Sequence, residues 1–410
     1  MAGQRYCAHA VRVLTIGSMY PPHHLGGYEL IWRAAVEHLR ARGDEVRVLA
    51  SDFTLTEPDP SISEDPNLRR GLRWYWRDHE WPRLTPRERL SIERDNRRLL
   101  NAELDSFEPD IVAWWAMGGM SMSLVETVRR RGLAAVGFVH DDWIDYGPKV
   151  DQWLRLARRL GPAARAVELI TRVPIEVDLS SAATWAFVSE TTRGRARAAL
   201  MNAPSSPVIN SGVNRDVFRP APEQPWGGRL LYVGRIDERK GVATAIEAVA
   251  LLEEMSLTVV GNGDARYLSR LRLRVHELAL GGRVRFESRS RAELASAYAA
   301  ADAVLFPAIW DEPWGLVPLE AMATGRPVVA TGAGGGGEYL HHEVNCLLFS
   351  PRDDHAALAE AIRRLSREPA LRHRLREQGF VTAAQIDEHT FCISAAELLD
   401  QVASGELTSG

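Results

Sequence analysis

Short apolar runs without alternation recur along this chain, each followed by a loop and then by apolar positions at helical spacing. Residues 11–17, 45–50, 110–114, 134–139 and 184–188 are such runs in the first half. Unalternated runs of this length suit parallel strands covered on both faces. Between the first two, Leu30, Ala34, Ala35 and Leu39 predict a helix over 28–42 that Gly43 stops. Strand, glycine-bearing loop, helix and strand make a βαβ unit.

The pattern breaks over 220–228, where three prolines and two glycines show no periodicity. It then restarts, with strands at 230–234, 257–261, 284–286, 303–306 and 327–330 and helices at 241–254 and 264–280. Further helices follow at 356–365 and 380–402, and residues 405–410 read as a frayed end. The expected fold class is α/β, with two Rossmann-like domains whose parallel sheets face across a cleft. The first domain takes 1–222, the second 223–385, and 386–410 forms a last helix able to cross back to the first.

Two segments depart from the alternation. Residues 58–101 hold Arg69, Arg70, Arg73, Trp74, Tyr75, Trp76, Arg77, Trp81 and Arg83 among five prolines. They suit either an acceptor-binding excursion or a local cover packing its tryptophans on the first sheet. Residues 151–173 predict one amphipathic helix with Arg155, Arg158, Arg159 and Arg165, an ordinary surface helix in preference to one lying on anionic lipid.

Composition excludes several classes of protein. A net charge of −4 is no nucleic-acid binder's balance. Cys7, Cys346 and Cys392 lie too far apart for a zinc motif or a disulfide framework. No run is long enough to span a bilayer, so a cytoplasmic protein is expected. One bias sharpens the search. Of 50 basic residues, 48 are arginine, and Lys149 and Lys240 are the two lysines.

Lys240 stands in Gly234-Arg235-Ile236-Asp237-Glu238-Arg239-Lys240-Gly241, a turn leaving an apolar strand. Its ammonium is a compact charge with rotatable donors, unlike the rigid guanidinium fork. A second stretch, Glu312-Pro313-Trp314-Gly315-Leu316-Val317-Pro318-Leu319-Glu320, sets two carboxylates eight residues apart across a loop and a helix start. Cations suit a diphosphate, and carboxylates suit sugar and ribose hydroxyls. Together they point to a nucleotide sugar. The run Thr331-Gly332-Ala333-Gly334-Gly335-Gly336-Gly337-Glu338 matches a dinucleotide fingerprint, but lies too late in its unit for one. It reads as structural or nucleotide-side.

In order and spacing, Gly234-Arg235…Lys240-Gly241, Gly261-Asn262-Gly263-Asp264 and Glu312…Glu320 resemble the retaining glycosyltransferases of family GT4, which have the GT-B fold. Pro21-Pro22…Gly26-Gly27, His140-Asp141, Val188-Ser189-Glu190 and Asn210-Ser211-Gly212-Val213-Asn214 extend the resemblance over residues 11–362. It implies that Arg235 and Lys240 hold the donor diphosphate, with Gly26, Gly27, Gly261, Gly263, Trp314, Gly315, Leu316 and Val317 around the donor. Glu320 would accept from the ribose and Glu312 from the transferred sugar, near the reacting carbon. His140 would bind a sugar hydroxyl or the acceptor. The implied catalytic set is therefore His140, Arg235, Lys240 and Glu312.

The implied activity is transfer of a hexose, with retention, from a nucleoside diphosphate sugar to an unidentified hydroxyl acceptor. UDP is favoured and GDP is possible. No Asp-x-Asp occurs, so neither metal nor cofactor is expected, and front-face substitution is the economical mechanism. A nucleotide-sugar epimerase or a noncatalytic nucleotide-sugar binder are the alternatives. A phosphorylase with a lysine-bound pyridoxal cofactor is disfavoured, since neither lysine is placed for it.

Overall fold

The computed structural model describes residues 10–76, 80–200 and 206–407. Cys7, Arg77 and residues 408–410 lie outside them. The first sheet and its helices comprise β1 (Arg12–Gly17), α1 (Gly27–Arg42), β2 (Glu45–Ser51), β3 (Leu68–Leu72), α2 (Pro86–Phe107) and β4 (Ile111–Trp114). They continue through α3 (Ser123–Arg130), β5 (Ala135–Val139), α4 (Trp143–Val150), α5 (Gln152–Leu160), α6 (Ala164–Thr171), β6 (Thr184–Phe187) and α7 (Glu190–Ala196). The second sheet follows as β7 (Arg229–Val233), α8 (Val242–Ala250), β8 (Ser256–Val260), α9 (Ala265–Glu277), β9 (Val284–Glu287), α10 (Arg291–Ala300) and β10 (Ala303–Phe306). It ends with α11 (Val317–Ala323), β11 (Val328–Ala330), β12 (Leu347–Leu348), α12 (His355–Arg367), α13 (Pro369–Gln385) and α14 (Glu388–Ala403).

Both sheets are six-stranded and parallel, in the orders β3-β2-β1-β4-β5-β6 and β12-β11-β10-β7-β8-β9. Counted from its own first strand, each runs 3-2-1-4-5-6. The order reverses between β1 and β4, and again between β7 and β10. Ligands of such sheets bind beyond the carboxyl ends of the strands at that reversal. Apolar strands face helices on both sides, so Val13, Leu14, Ile16, Val112 and Trp114 are fully buried in one lobe and Val259, Val304 and Leu305 in the other.

Three elements differ from the sequence expectation. The helix foreseen over 151–173 is two, because Gly161 and Pro162 break it between α5 and α6. The one foreseen over 380–402 is also two, parted at Ile386–Asp387, where the Asp387 carboxylate caps Thr390. Within the Trp- and Arg-rich segment lies β3, whose polar sequence hid it. It is an edge strand, and Arg69 and Arg70 pair there with Glu103 and Glu64, the charged dress expected of an edge. Trp74 and Tyr75 enter the first core, whereas Trp81 is 45% exposed.

The chain leaves the first lobe through residues 206–228 and returns beside that crossing. Val213 N donates to Ile386 O at 3.1 Å, and Glu388 N donates to Val213 O at 3.0 Å. The following α14 packs on α1 and beneath the first sheet, with Arg42 gripping Asp400 at 2.6 and 2.9 Å. Gly212 lies so close to this return that a Cβ there would stand 1.9 Å from the Asp387 carbonyl carbon. Gly212→Ala should therefore cost about 1–3 kcal/mol by overpacking. A calorimetric melting temperature lowered by several degrees is the expected result.

Candidate active site

Elements from both sheets build the site at the two strand-order reversals. In the second lobe the chain leaves β7 at Gly234, and Ile236 N donates to Asn262 O at 2.8 Å, joining this turn to the one after β8. Gly261 and Gly263 stand at that junction. Cβ atoms there would lie 1.9 Å from Gly234 O and 2.1 Å from Ile236 O, and Gly261 has φ +151°. Asp237 accepts from Arg239 N at 2.9 Å and caps the single turn that carries Lys240. Gly241 then opens α8.

Lys240 meets Glu312 from the loop after β10, with Nζ to Oε1 at 2.5 Å. The same Oε1 accepts from Trp310 Nε1 at 2.8 Å. Arg239 lies 4.6 Å over the Trp310 ring and Lys240 lies 5.6 Å from it. Glu312 is 5% exposed, a burial that a carboxylate tolerates because both partners satisfy it. Trp310 escaped the sequence reading, since nothing along the chain says that an indole two residues away turns onto this carboxylate.

The glycine run packs against the same loop. Glu312 bridges to Gly334, Gly335 N donates to Glu312 O at 2.7 Å, and Cβ atoms at 334 and 335 would strike Glu312 O and Pro313 O at 2.2 and 2.0 Å. The extra glycines thus let one backbone lie flush on another. Glu338 crosses to the other lobe and accepts from Glu190 N (3.1 Å), Thr191 N (2.9 Å) and Thr191 Oγ1 (3.1 Å), at the start of α7.

Glu320 lies in α11, 6% exposed, and accepts from Tyr298 Oη at 2.6 Å, with Arg291 Nη1 3.8 Å from its other oxygen. Burial raises its pKa, and Arg291 and Tyr298 act against that shift. Arg291 in turn sits over the Phe218 ring. Trp314 is buried and donates from Nε1 to Ser211 O at 2.8 Å, so its indole bridges the lobes. Tyr339 Oη donates to Gly315 O at 2.5 Å. Leu316 rests against Gly27 of the first lobe, 2.7 Å from where a Cβ would be. Val317 begins α11.

On the first lobe, Gly26 N donates to Glu29 Oε2 at 3.0 Å. His140, at the end of β5, stacks on Tyr28 at 4.5 Å, and its Nδ1 is 3.1 Å from Ser211 Oγ. Its Nε2 has no hydrogen-bond partner among the described residues. Burial pulls its pKa down to about 3, so the ring is neutral at physiological pH. Asp141 accepts from Tyr146 Oη at 3.1 Å, and burial pushes it up to about 6. Burial pushes Glu29 up to about 7.

Arg235 opposes both shifts, so its charge is felt by both acids of the first lobe. No carboxylate lies within ion-pair distance of its guanidinium among the described residues. Beside this cleft, Ser189 Oγ donates to Pro313 O at 2.6 Å, and Arg195 links Asp142 (2.9 Å) to Asp311 O (3.1 Å). The structure thus joins Lys240, Glu312 and Trp310 in one cluster and His140, Ser211 and Trp314 in another. Glu320 has its own pair of partners.

Comparison with known proteins agrees with this architecture. Residues 219–381 match the family described as glycosyl transferases group 1, and residues 26–203 match a glycosyl transferase 4-like domain. The chain is similar to a lipopolysaccharide core biosynthesis glycosyltransferase of Rhizobium meliloti, 30% identical over 69% of this chain and 72% of that one. It is also 35% identical to a D-inositol 3-phosphate glycosyltransferase of Thermobispora bispora over 48% of this chain and 53% of the relative. The match thus spans about half the length of that relative, and a third of a Methanocaldococcus jannaschii one. Among solved structures, a sucrose-phosphate synthase of Thermosynechococcus elongatus superposes with TM-score 0.72 at 22% identity, covering 96% of this chain and all of that one. Anabaena HepE in complex with UDP and glucose superposes at 0.69 and 19%, covering 95% and all of it.

Proposed function

Since the chain belongs to the group 1 glycosyltransferases, we propose that it moves a hexose from a UDP-sugar to a hydroxyl acceptor, with retention and without a metal. The observation that carries this is the Lys240–Glu312 pair at the strand-order reversal of the second sheet, with Arg235 in the same turn after β7 as Lys240. As the glycosidic bond stretches, charge gathers on the departing diphosphate. Fixed cations aimed at that charge stabilise the transition state above the ground state. In this reading Arg235 and Lys240 serve there, and Glu312 takes the hydroxyls of the transferred sugar while Glu320 takes those of the ribose.

In front-face substitution the bond from the anomeric carbon to the phosphate oxygen breaks. The acceptor oxygen bonds to that carbon on the same face, and its proton passes to the leaving phosphate oxygen. Neutral His140 offers Nε2 to a hydroxyl, consistent with its lowered pKa. The UDP complex of HepE supports the choice of base.

A thermal-shift panel of UDP, GDP and ADP tests the donor assignment. The bound nucleotide at a hundred times its dissociation constant should stabilise the fold by about 2.7 kcal/mol, and no shift with any of the three overturns the proposal. NMR of the product's anomeric proton tests retention. Conversion of the donor into an epimeric nucleotide sugar, without acceptor, would instead indicate an epimerase.

The raised acids give a pH signature. Glu29 and Asp141 hold protons in the folded chain at pH values where the unfolded chain has lost them. Their contribution to stability therefore falls as pH rises from about 4 to 7. Both also become anionic over pH 6–8, within the field of Arg235, which in this reading meets the anionic donor. Affinity for UDP-glucose, whose diphosphate does not titrate there, should drop roughly three- to tenfold from pH 6 to 8. Calorimetry should show a flatter profile in the Glu29→Gln, Asp141→Asn double variant.

A further inference from the structure

We propose that α5, α6 and their Gly161–Pro162 junction form a docking surface for an anionic lipid bilayer. The polarity of α6 is inverted. Glu168 turns toward the body of the lobe and pairs with Arg130, while Leu169 and Ile170 point outward at 82% and 78% exposure. These are the most exposed large apolar side chains among the described residues, and Leu160 at the end of α5 adds a third. An ordinary surface helix places such residues inward and its acids outward. Here the inward positions of α6 are Ala164, Val167, Glu168 and Thr171, and the outward ones are Arg165, Ala166, Leu169 and Ile170.

The charge around the aliphatic tip selects the occupant. Arg155, Arg158, Arg159, Arg165 and Arg172 are all exposed over residues 155–172, where Glu168 is the one acid and is already paired. This is a basic patch on a chain of net charge −4. A second copy of the chain would bring arginines against arginines, and nucleic acid offers the aliphatic side chains nothing to bury. Acyl chains under anionic headgroups satisfy both parts, with Leu and Ile in the boundary and arginines at the phosphates. Contact would be peripheral, because no helix among the described residues is long and apolar enough to cross a membrane. The surface lies in the first lobe, and its evidence is independent of the donor assignment.

Flotation with equimolar phosphatidylglycerol–phosphatidylcholine vesicles, beside phosphatidylcholine alone, tests it. The chain should float with the anionic vesicles at low salt, stay behind with the neutral ones, and be released as salt rises. The Leu169→Glu, Ile170→Glu double variant should lose about tenfold or more in partitioning, and Arg159→Glu, Arg165→Glu about fivefold per charge. Melting temperature and UDP binding should not change in either, since the altered side chains face solvent. Failure of the unaltered chain to float, undiminished binding of the Leu169/Ile170 variant, or a concentration-dependent dimer that this variant abolishes would each overturn the proposal.

Discussion

Lys240→Met should lower kcat/KM for sugar transfer by about a hundred- to a thousandfold, a loss typical of removing one preorganised donor to developing charge. Two effects combine. The ammonium no longer meets the departing diphosphate, and Glu312, 5% exposed, keeps Trp310 Nε1 as its one side-chain donor. A buried carboxylate stripped of its cation is unfavourable whatever else happens at the site. Lys240→Arg should not restore the rate, because the planar fork does not reproduce a single ammonium held at 2.5 Å beside an indole ring. The Lys240→Met, Glu312→Gln double variant separates the effects. If Lys240 acts chiefly by neutralising Glu312, the second change recovers much of the loss. If it acts on the diphosphate, the double variant is no better than the single one. A single variant within threefold of the unaltered rate would remove Lys240 from the chemistry.

That Lys240 and Glu312 belong together was half legible in the chain. A lysine kept among 48 arginines and two carboxylates flanking Pro-Trp-Gly mark the loops, and parallel-sheet logic puts both loops at one reversal. What no single sequence carries is the direction of a side chain across that reversal. Trp310, Tyr298 and Arg291 act on the two carboxylates from other positions and other elements, and none has a spacing that announces it. The same limit explains β3, whose arginines suit an edge that the apolar pattern cannot see. It also explains the break before α14, where no glycine or proline stands at Ile386–Asp387 and the chain turns because Val213 pairs with it from the other crossing. Helix ends written in Gly-Pro or strands written in Val-Ile-Leu could be read. Ends written in tertiary contacts could not.

The contacts between lobes also change how the motifs are understood. Ser189, Ser211 and Glu338 look like sequence punctuation, yet each reaches across the cleft or hinge. Ser189 meets Pro313 O, Ser211 serves both His140 and Trp314, and Glu338 caps α7. The loop carrying Glu312 is therefore held by the first lobe as well as by its own. Donor-side geometry and His140 are coupled through Ser211, a short physical chain linking both halves of the cleft.

Glu320→Ala should weaken UDP binding by about thirty- to a hundredfold, the scale of a hydrogen bond to a charged acceptor, with a smaller further effect on kcat. Two neighbours hold Glu320 in place. Tyr298 fixes one oxygen at 2.6 Å, and Arg291 opposes the burial that raises its pKa. A carboxylate so held has little orientation left to lose when it accepts from a ribose. Tyr298→Phe should cost less, since it removes the brace and leaves the acceptor. The decisive measurement is a cycle with 2′,3′-dideoxy-UDP. If Glu320 binds the ribose hydroxyls, deleting them from the ligand should erase most of the difference between the unaltered chain and Glu320→Ala. Should the variant lose as much affinity for the dideoxy ligand as for UDP, Glu320 acts through the fold of α11, and the nucleotide's sugar is recognised elsewhere.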